Sequence, residues 1–317
     1  MTTEALSPPP KPGRPRWVIW IAGILIGDLV IALIFWTGFL LGKDGELLNL
    51  LLLPSLFLVP MAGGCVASYV WRSLKPKMSS LVQHTFWMTA VALLAGSVAF
   101  HEGIICLIIV SPLFFGSILA GALLGRLWFK EQPTRLRLSI LPLLGLGIFT
   151  ELFTRVDKES VMTDEVIIHA PPSRVWAQLT SFPAIPASPR FWLFRMGLPF
   201  PTATTSSGNF VEAKRECIFS HDAVFKEKVV EFVPPEKLVF DILESPRDPE
   251  LLGHLTLRRG QFVLRRNPDG TTTLIGSSYY VLHVRPAWYF DIWTRHIFRA
   301  VHLRVMEDIR RRAEASP

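Results

Sequence analysis

Two residues of opposite charge, Arg215 and Glu227, are the side chains of this sequence best placed to do chemistry. Arg215 lies in a predicted strand whose residues alternate in character, so it shares one face with Cys217 and Phe219. Glu227 lies in the next predicted strand and shares a face with Phe225. If both faces point to the interior, the two charges pair across neighbouring antiparallel strands.

A buried pair of this kind has two chemical uses. It orients a carboxyl or hydroxyl group of a ligand, or Glu227 acts as a base, because burial raises the pKa of a carboxyl group while a neighbouring arginine lowers it. Two other interpretations stay open: the ion pair is only structural, or the strand faces are assigned one residue out of step. We therefore take these five residues as candidates for lining a ligand site.

Histidines add further candidates. His254 and His283 are candidates because histidine is the usual acid–base group near neutral pH, but the sequence offers neither an identifiable partner. A histidine at a sheet edge or in the core is the competing interpretation. His296 and His302 are too far apart to be paired metal ligands on one face of a helix. We predict no metal ion.

Motifs that would identify an enzyme are not recognisable in the sequence. It has no Gly-rich phosphate loop, no nucleophile elbow and no Cys-rich metal motif. Of the three cysteines, two lie in apolar stretches and Cys217 stands alone in the second half. We predict no cofactor, and catalysis has no positive support at this level.

The elements that position these residues follow from the pattern of the second half. Strands are predicted at 166–169, 208–220, 223–233, 237–243, 261–266 and 271–284, and a helix at 170–180. The Asn-Pro-Asp-Gly sequence at 267–270 predicts a tight turn between the last two strands. An antiparallel sheet with helices on it is an α+β arrangement.

A long helix is predicted over the final segment, 286–314. Its apolar residues recur at steps of four and form one stripe, which would pack on the sheet. The stripe consists of Trp293, Ile297, Val301, Val305 and Ile309. We include Trp293 among the candidates for contact with a ligand.

Several stretches of this half resemble a known superfamily. They are 165–176 (EVIIHAPPSRVW), 230–240 (VEFVPPEKLVF), 285–289 (RPAWY) and 302–305 (HLRV). Their order and spacing resemble the START-like superfamily, and more closely its polyketide cyclase/dehydrase-type branch, also called SRPBCC, over most of 161–314. The resemblance implies a helix-grip fold, in which a curved sheet wraps a long C-terminal helix around an apolar cavity. It also makes His254 similar to a histidine found in related sequences.

The first half of the chain has the composition of a membrane protein. A helix of roughly 20 apolar residues crosses a bilayer, and four stretches, 17–41, 47–71, 82–100 and 104–127, approach or exceed that length. A fifth stretch, 138–153, reaches only about 24 Å. We predict an all-α membrane bundle of four or five spans at 17–155, preceded by a basic, proline-rich tail at 1–16 and followed by the START-like domain at 156–317.

Basic residues predict the orientation of this bundle. Lysine and arginine cluster before the first span, after the second and after the fourth, which places all three clusters in the cytoplasm. We therefore predict a multi-pass protein of the cell (inner) membrane with a cytoplasmic N-terminus. Five spans put the C-terminal domain outside the cytoplasm, whereas four return it to the cytoplasm. This topology accounts for much of the net charge of +7, and we predict no nucleic-acid partner.

Asp28 is a carboxyl group near the middle of the first span. Such a group is costly in a membrane unless it is paired or hydrated, so it indicates a functional site; a protonated carboxyl, or one hydrogen-bonded between helices, is the alternative.

Three functions follow as hypotheses. The first is a membrane-tethered domain that binds a lipid or another hydrophobic small molecule. The second is a cyclase or dehydratase acting on a polyketide-like substrate. The third is a membrane sensor that works through Asp28. The bilayer and an apolar ligand are the expected partners, and the oligomeric state is not determined by the sequence.

Overall fold

The computed structural model describes residues 15–41, 52–100, 103–131, 158–246 and 255–315. The chain divides into two compact units, one made of Met1–Ala99 and Val110–Thr154, the other of Phe100–Ile109 and Arg155–Pro317. Two predicted features, the apolar stretch 138–153 and His254, lie outside the described residues.

Long helices make up the first unit. They are α1 (Arg16–Leu41), α2 (Leu52–Trp71), α3 (Met78–Phe100) and α4 (Ile104–Glu131), whose first residues, up to Ile109, belong to the second unit. In the described part of the chain, three helical segments are long and apolar enough to cross a membrane: Arg16–Thr37, Met78–Ala99 and Ile104–Phe129. Length and composition thus indicate membrane association, while a count of four or five spans stays a prediction.

Close packing joins α1 to α2. Trp71 is fully buried, and its indole Nε1–H donates a hydrogen bond of 3.1 Å to the backbone carbonyl of Trp20. A side chain at Gly23 would collide with the Trp71 ring, and one at Gly63 would collide with Ile31. Glycine is therefore required at these two positions for the helices to approach each other.

Asp28 lies on α1 within this bundle, and none of the described residues hydrogen-bonds to its carboxyl group. Both carboxyl oxygens are buried, and no donor or acceptor among the described residues reaches either of them. The alternative of a carboxyl group hydrogen-bonded between helices is therefore not what the described residues show.

A seven-stranded antiparallel sheet forms most of the second unit. Its strands are β1 (Lys158–Ile168), β2 (Pro201–Ser206), β3 (Lys214–Phe219), β4 (Val224–Val233), β5 (Lys237–Glu244), β6 (Leu255–Arg266) and β7 (Thr272–Leu282). They are ordered β1-β7-β6-β5-β4-β3-β2, so the first strand of the chain pairs with the last. The helices are α5 (Pro172–Trp176), α6 (Trp192–Arg195) and α7 (Ala287–Ala315).

The long helix α7 packs against one face of this curled sheet, which we call the inner face. Ile168 and Leu274 on the sheet share a buried cluster with Met306 and Ile309 on α7. A curved antiparallel sheet around a long C-terminal helix is the helix-grip arrangement. The α+β part of the predicted fold is therefore present in this unit.

The predicted apolar stripe of α7 is divided between two clusters. Val305 and Ile309 pack in the core beneath the sheet. Trp293 and its neighbours on the stripe pack instead with Leu193 and Phe194 of α6.

Several predicted boundaries need correction. The strand predicted to begin at 208 begins only at Lys214, because the chain turns before it: Glu212 has a φ of 76° and Val211 is 47% exposed. Strand β2 was not predicted at all, since its sequence PTATTS contains no large apolar residue. The helix predicted at 170–180 is limited to Pro172–Trp176.

Other predicted elements are confirmed. Strands β4 and β5 match the predicted 223–233 and 237–243 closely, and α7 matches 286–314. The predicted turn at 267–270 joins β6 to β7, where Gly270 has a φ of 85°.

Candidate functional site

Arg215 on β3 and Glu227 on β4 lie directly opposite each other in the sheet register. The Nη1 group of Arg215 donates to Oε2 of Glu227 over 3.0 Å. Only 3% of the Arg215 side chain and 6% of the Glu227 side chain is exposed, so the pair is shielded from water. The pairing predicted from strand alternation is therefore present in the interior.

Further contacts fix the Arg215 guanidinium. Its Nε donates to the carbonyl oxygen of Thr180 over 3.2 Å, and its Nη2 donates to that of Leu179 over 3.3 Å. Its Cζ also lies 4.3 Å from the centroid of the Phe240 ring, a distance typical of a cation–π contact. These contacts leave Arg215 little freedom, so it acts as a rigid donor to Glu227.

Glu227 is less completely satisfied than its partner. Among the residues that the structure describes, Arg215 is its one hydrogen-bond partner, through Oε2, and Oε1 has none. Burial raises the pKa of Glu227 to about 7, although the charge of Arg215 and its hydrogen bond act in the opposite direction. Near neutral pH this carboxyl group can therefore either donate or accept a hydrogen bond.

Cys217 lies two residues beyond Arg215 on β3 and pairs with Phe225 in register. Thr204 on β2 donates its hydroxyl to the Cys217 sulfur over 3.6 Å. Burial, followed by the negative charge of Glu227, raises the pKa of the Cys217 thiol to about 12. The thiol thus stays protonated and contributes a weakly polar surface rather than a nucleophile.

Aromatic and aliphatic side chains extend the inner face around this pair. The rings of Phe219 and Phe225 are 4.9 Å apart between centroids. Phe232, Ile242 and Phe262 contact the buried core but are only partly buried themselves. The apolar inner face is therefore incompletely covered by protein.

Two candidates predicted from sequence lie elsewhere. The Nε2 atom of His283, just after β7, lies 2.8 Å from Oγ1 of Thr256, so this histidine does have a partner. Trp293 belongs to the separate apolar cluster with α6. The contacts described above for these two residues do not involve Arg215 or Glu227, and a ligand-binding role for all these candidates stays a prediction.

A second polar cluster on the inner face was not predicted. Nδ1 of His302 on α7 lies 2.8 Å from Oδ2 of Asp164 on β1, and Nε2 lies 2.8 Å from Oγ of Ser278 on β7. Burial lowers the pKa of His302, while Asp164 opposes that shift, so the imidazole is neutral at pH 7. Asp164 was overlooked because the first strand was predicted to begin only at residue 166.

Beside it, Tyr280 on β7 donates its hydroxyl to Oδ1 of Asp291 over 2.6 Å. Arg295 donates to Oδ2 of the same carboxylate over 3.1 Å. Burial and the bonded carboxylate raise the pKa of the Tyr280 hydroxyl. Alternation along β7 would have placed Tyr280 and Ser278 on the inner face, but it could not identify their partners on α7.

Metal ligands do not converge in the described part of the chain, where no group of three His, Cys, Asp or Glu residues could hold an ion.

No protein-family model matches the chain, and no curated protein matches it.

Solved structures of similar shape cover the C-terminal half of the chain. A protein from Nitrosospira multiformis is 15% identical over 49% of this chain and 97% of its own, with a TM-score of 0.35. Truncated norcoclaurine synthase from Thalictrum flavum is 12% identical over 51% of this chain and 97% of its own, with a TM-score of 0.36. A protein from Mesorhizobium loti is 18% identical over 50% and 99%, with a TM-score of 0.33.

Proposed function

We propose that this chain is a membrane-tethered helix-grip domain that binds an apolar small molecule carrying a hydroxyl or carboxyl group. The observation that carries the proposal is the buried carboxyl group of Glu227, which has a hydrogen bond to Arg215 on one oxygen and none on the other among the described residues. A ligand group that bonds to Oε1 would complete this site.

Energetics support such an occupant. A ligand hydroxyl or carboxyl that hydrogen-bonds to Oε1 would contribute about 0.5–1.5 kcal/mol to binding, and more where one of the two groups is charged. The apolar part of the ligand would cover Phe232, Ile242 and Phe262, and each Å² of apolar surface removed from water contributes about 25 cal/mol. The arrangement therefore favours an amphiphilic molecule over a purely polar or a purely apolar one.

The helices of the first unit support the membrane part of the proposal. Three segments have the length and composition of membrane spans, so the bilayer is the nearest store of apolar molecules with a polar end. We propose that the ligand is a lipid-like molecule drawn from that bilayer, and that the domain lies outside the cytoplasm.

Native mass spectrometry of the full chain released from nanodiscs tests the binding. The delipidated protein is incubated with equal amounts of oleyl alcohol, oleic acid and octadecane. We expect one molecule of the alcohol or the acid to remain bound, and octadecane to be excluded because it cannot bond to Glu227.

A matched pair of variants makes the test specific to the site. Glu227→Gln should weaken retention of the preferred probe about tenfold, equivalent to about 1.4 kcal/mol. Glu216→Gln, an exposed glutamate on the other face of β3, should leave it unchanged. No bound probe in the wild-type protein, or equal retention by both variants, would refute the proposal.

A second function is favoured by the pKa of Glu227, which burial raises to about 7. A carboxyl group that titrates near neutrality is suited to general acid–base catalysis, as a cyclase or dehydratase acting on a polyketide-like substrate would require. Under this function, Glu227→Gln would abolish conversion of the bound molecule while changing its retention less than twofold. Loss of retention without any chemical change in the bound molecule would favour simple binding.

A further inference from the structure

The cluster of Ser278, His302 and Asp164 has the connectivity of a nucleophile, a base and an orienting carboxylate. We propose that it is an acyl-transfer site, in which the Ser278 hydroxyl attacks a carboxylic ester with an apolar acyl chain. The proposal does not depend on Glu227, because β4 and β7 are three strand spacings apart, roughly 14 Å along the sheet.

Hydrogen bonds on both ring nitrogens determine the state of His302. Because ionised Asp164 can only accept, Nδ1 carries the proton and donates it over 2.8 Å. Nε2 then has a free lone pair and accepts the Ser278 hydroxyl over 2.8 Å. This is the tautomer that a general base needs to take the proton of a serine nucleophile.

Aromatic packing holds the imidazole in this orientation. The Phe298 ring stacks on His302 with 6.4 Å between centroids and meets the edge of Tyr280 at 4.9 Å. Phe298 thus restricts rotation of the imidazole out of line with Ser278. A base that is already oriented loses little entropy when the reaction begins.

The cluster also leaves Ser278 accessible to a substrate and has a positive charge close by. Ser278 retains partial exposure although it lies on the face that α7 covers. Since β7 is paired with β1 on one side and β6 on the other, its backbone amides are engaged in the sheet. We assign stabilisation of the oxyanion to Arg299, whose Nε lies 3.9 Å from Asp164 Oδ1 and whose side chain is 64% exposed and therefore able to reorient.

The reaction balances without any cofactor. Oγ of Ser278 forms a bond to the ester carbonyl carbon while its proton moves to Nε2 of His302. The ester C–O bond breaks, and the alcohol leaves with that proton. Water, deprotonated by His302, then attacks the acyl-serine, which releases the carboxylic acid and regenerates the hydroxyl.

Two probes test the site on the full chain in detergent micelles. The first is a rhodamine-linked fluorophosphonate, which reacts covalently with activated serines, and the second is p-nitrophenyl butyrate, an ester that releases a coloured alcohol. We expect the fluorophosphonate to label Ser278, as located by mass spectrometry of peptides, and the ester to be hydrolysed faster than in buffer alone.

Variants distinguish an activated serine from a surface one. Ser278→Ala should remove both signals, whereas Ser277→Ala, on the neighbouring residue that faces the opposite side of the sheet, should retain them. His302→Gln and Asp164→Asn should each slow labelling by about a hundredfold or more, since base and tautomer control are lost. Arg299→Gln should slow ester hydrolysis more than it weakens binding of the ester, because its charge acts in the transition state.

Labelling of Ser278 decides the outcome, and the melting temperature shows whether each variant is folded. If folded wild-type protein is not labelled at Ser278, or if folded His302→Gln is labelled as fast as the wild type, the proposal is wrong. The comparison between Ser278→Ala and Ser277→Ala keeps the test valid even if the Asp164 variant fails to fold. Retention of oleyl alcohol or oleic acid is measured separately, so failure here does not bear on the binding proposal.

Discussion

Arg215 Nη1 and Glu227 Oε2 are 3.0 Å apart on adjacent strands, and both side chains are almost completely shielded from water. Such a pair is asymmetric in its response to mutation. Loss of one partner leaves a buried charge uncompensated, whereas replacing both by apolar residues is often neutral.

Substitution of Arg215 by methionine is therefore expected to destabilise the second unit by about 3–5 kcal/mol. Glu227→Gln is expected to cost less, because its amide oxygen still accepts from the guanidinium. Chemical unfolding of the full chain in micelles, followed by tryptophan fluorescence, measures both.

The double variant Arg215→Met, Glu227→Leu is the control. It should recover more than half of the loss caused by Arg215→Met alone. If the double variant loses as much free energy of unfolding as Arg215→Met and Glu227→Leu lose when their separate effects are added, the two side chains are not coupled in the way their geometry indicates.

Stability should also depend on pH through Glu227. Its pKa is raised from 4.5 to about 7 on folding, so between these values the folded state binds more protons than the unfolded state. The contribution of this group is therefore fully present below about pH 4.5 and is lost as the pH rises through about 7. The loss approaches 1.4 kcal/mol per pH unit within that window.

Measurement of this effect requires a difference between two proteins, because other groups titrate in the same range. His302, whose pKa is lowered by burial, acts with the opposite sign and destabilises the fold as the pH falls below 6.5. Subtracting the unfolding free energy of Glu227→Gln from that of the wild type at each pH cancels the His302 term. A flat difference between pH 4.5 and 7 would contradict the raised pKa.

The alternation of residues along neighbouring strands was enough to predict the Arg215–Glu227 pair, because the two residues lie on consecutive strands joined by a short turn. Period-two alternation sets the face of each strand, and the turn sets their register. The strand predicted at 208–220 was wrong before Lys214, since the alternation was assumed to continue through a segment where Glu212 has a positive φ.

Contacts between residues that are distant in the sequence could not be predicted from the periodicity of the sequence. His302 and Asp164 are 138 residues apart, and they meet because β1 pairs with β7 beneath α7. Periodicity gives the face of an element but not its neighbour in a sheet, so the Asp164–His302–Ser278 cluster could be recognised only in three dimensions. Strand β2 was missed for a different reason, its small and polar composition.

Tyr280→Phe tests how much the buried hydrogen bond between Tyr280 and Asp291 contributes to stability. The substitution removes a hydroxyl that donates over 2.6 Å to the buried carboxylate of Asp291. Hydrogen bonds to charged groups contribute about 1.5–3 kcal/mol, so we expect a loss of that size in the free energy of unfolding. Tyr279→Phe, at the neighbouring exposed position, is the matched control and should change stability by less than about 0.5 kcal/mol. Equal effects of the two variants would show that the Tyr280–Asp291 bond contributes nothing.

Asp28 gives the opposite expectation, an increase in stability. Both of its carboxyl oxygens are buried in the helical unit without a hydrogen-bond partner among the described residues. Burying a polar group in this way has a cost, so replacing it by an apolar residue of similar size should remove that cost. We expect Asp28→Leu to raise the melting temperature of the protein in nanodiscs by several degrees, as measured by differential scanning fluorimetry. Asp28→Glu, which keeps the carboxyl group, should not raise it. A lower melting temperature for Asp28→Leu would instead indicate that the carboxyl group binds a proton or cation that the folded bundle requires, as a sensor working through Asp28 would need.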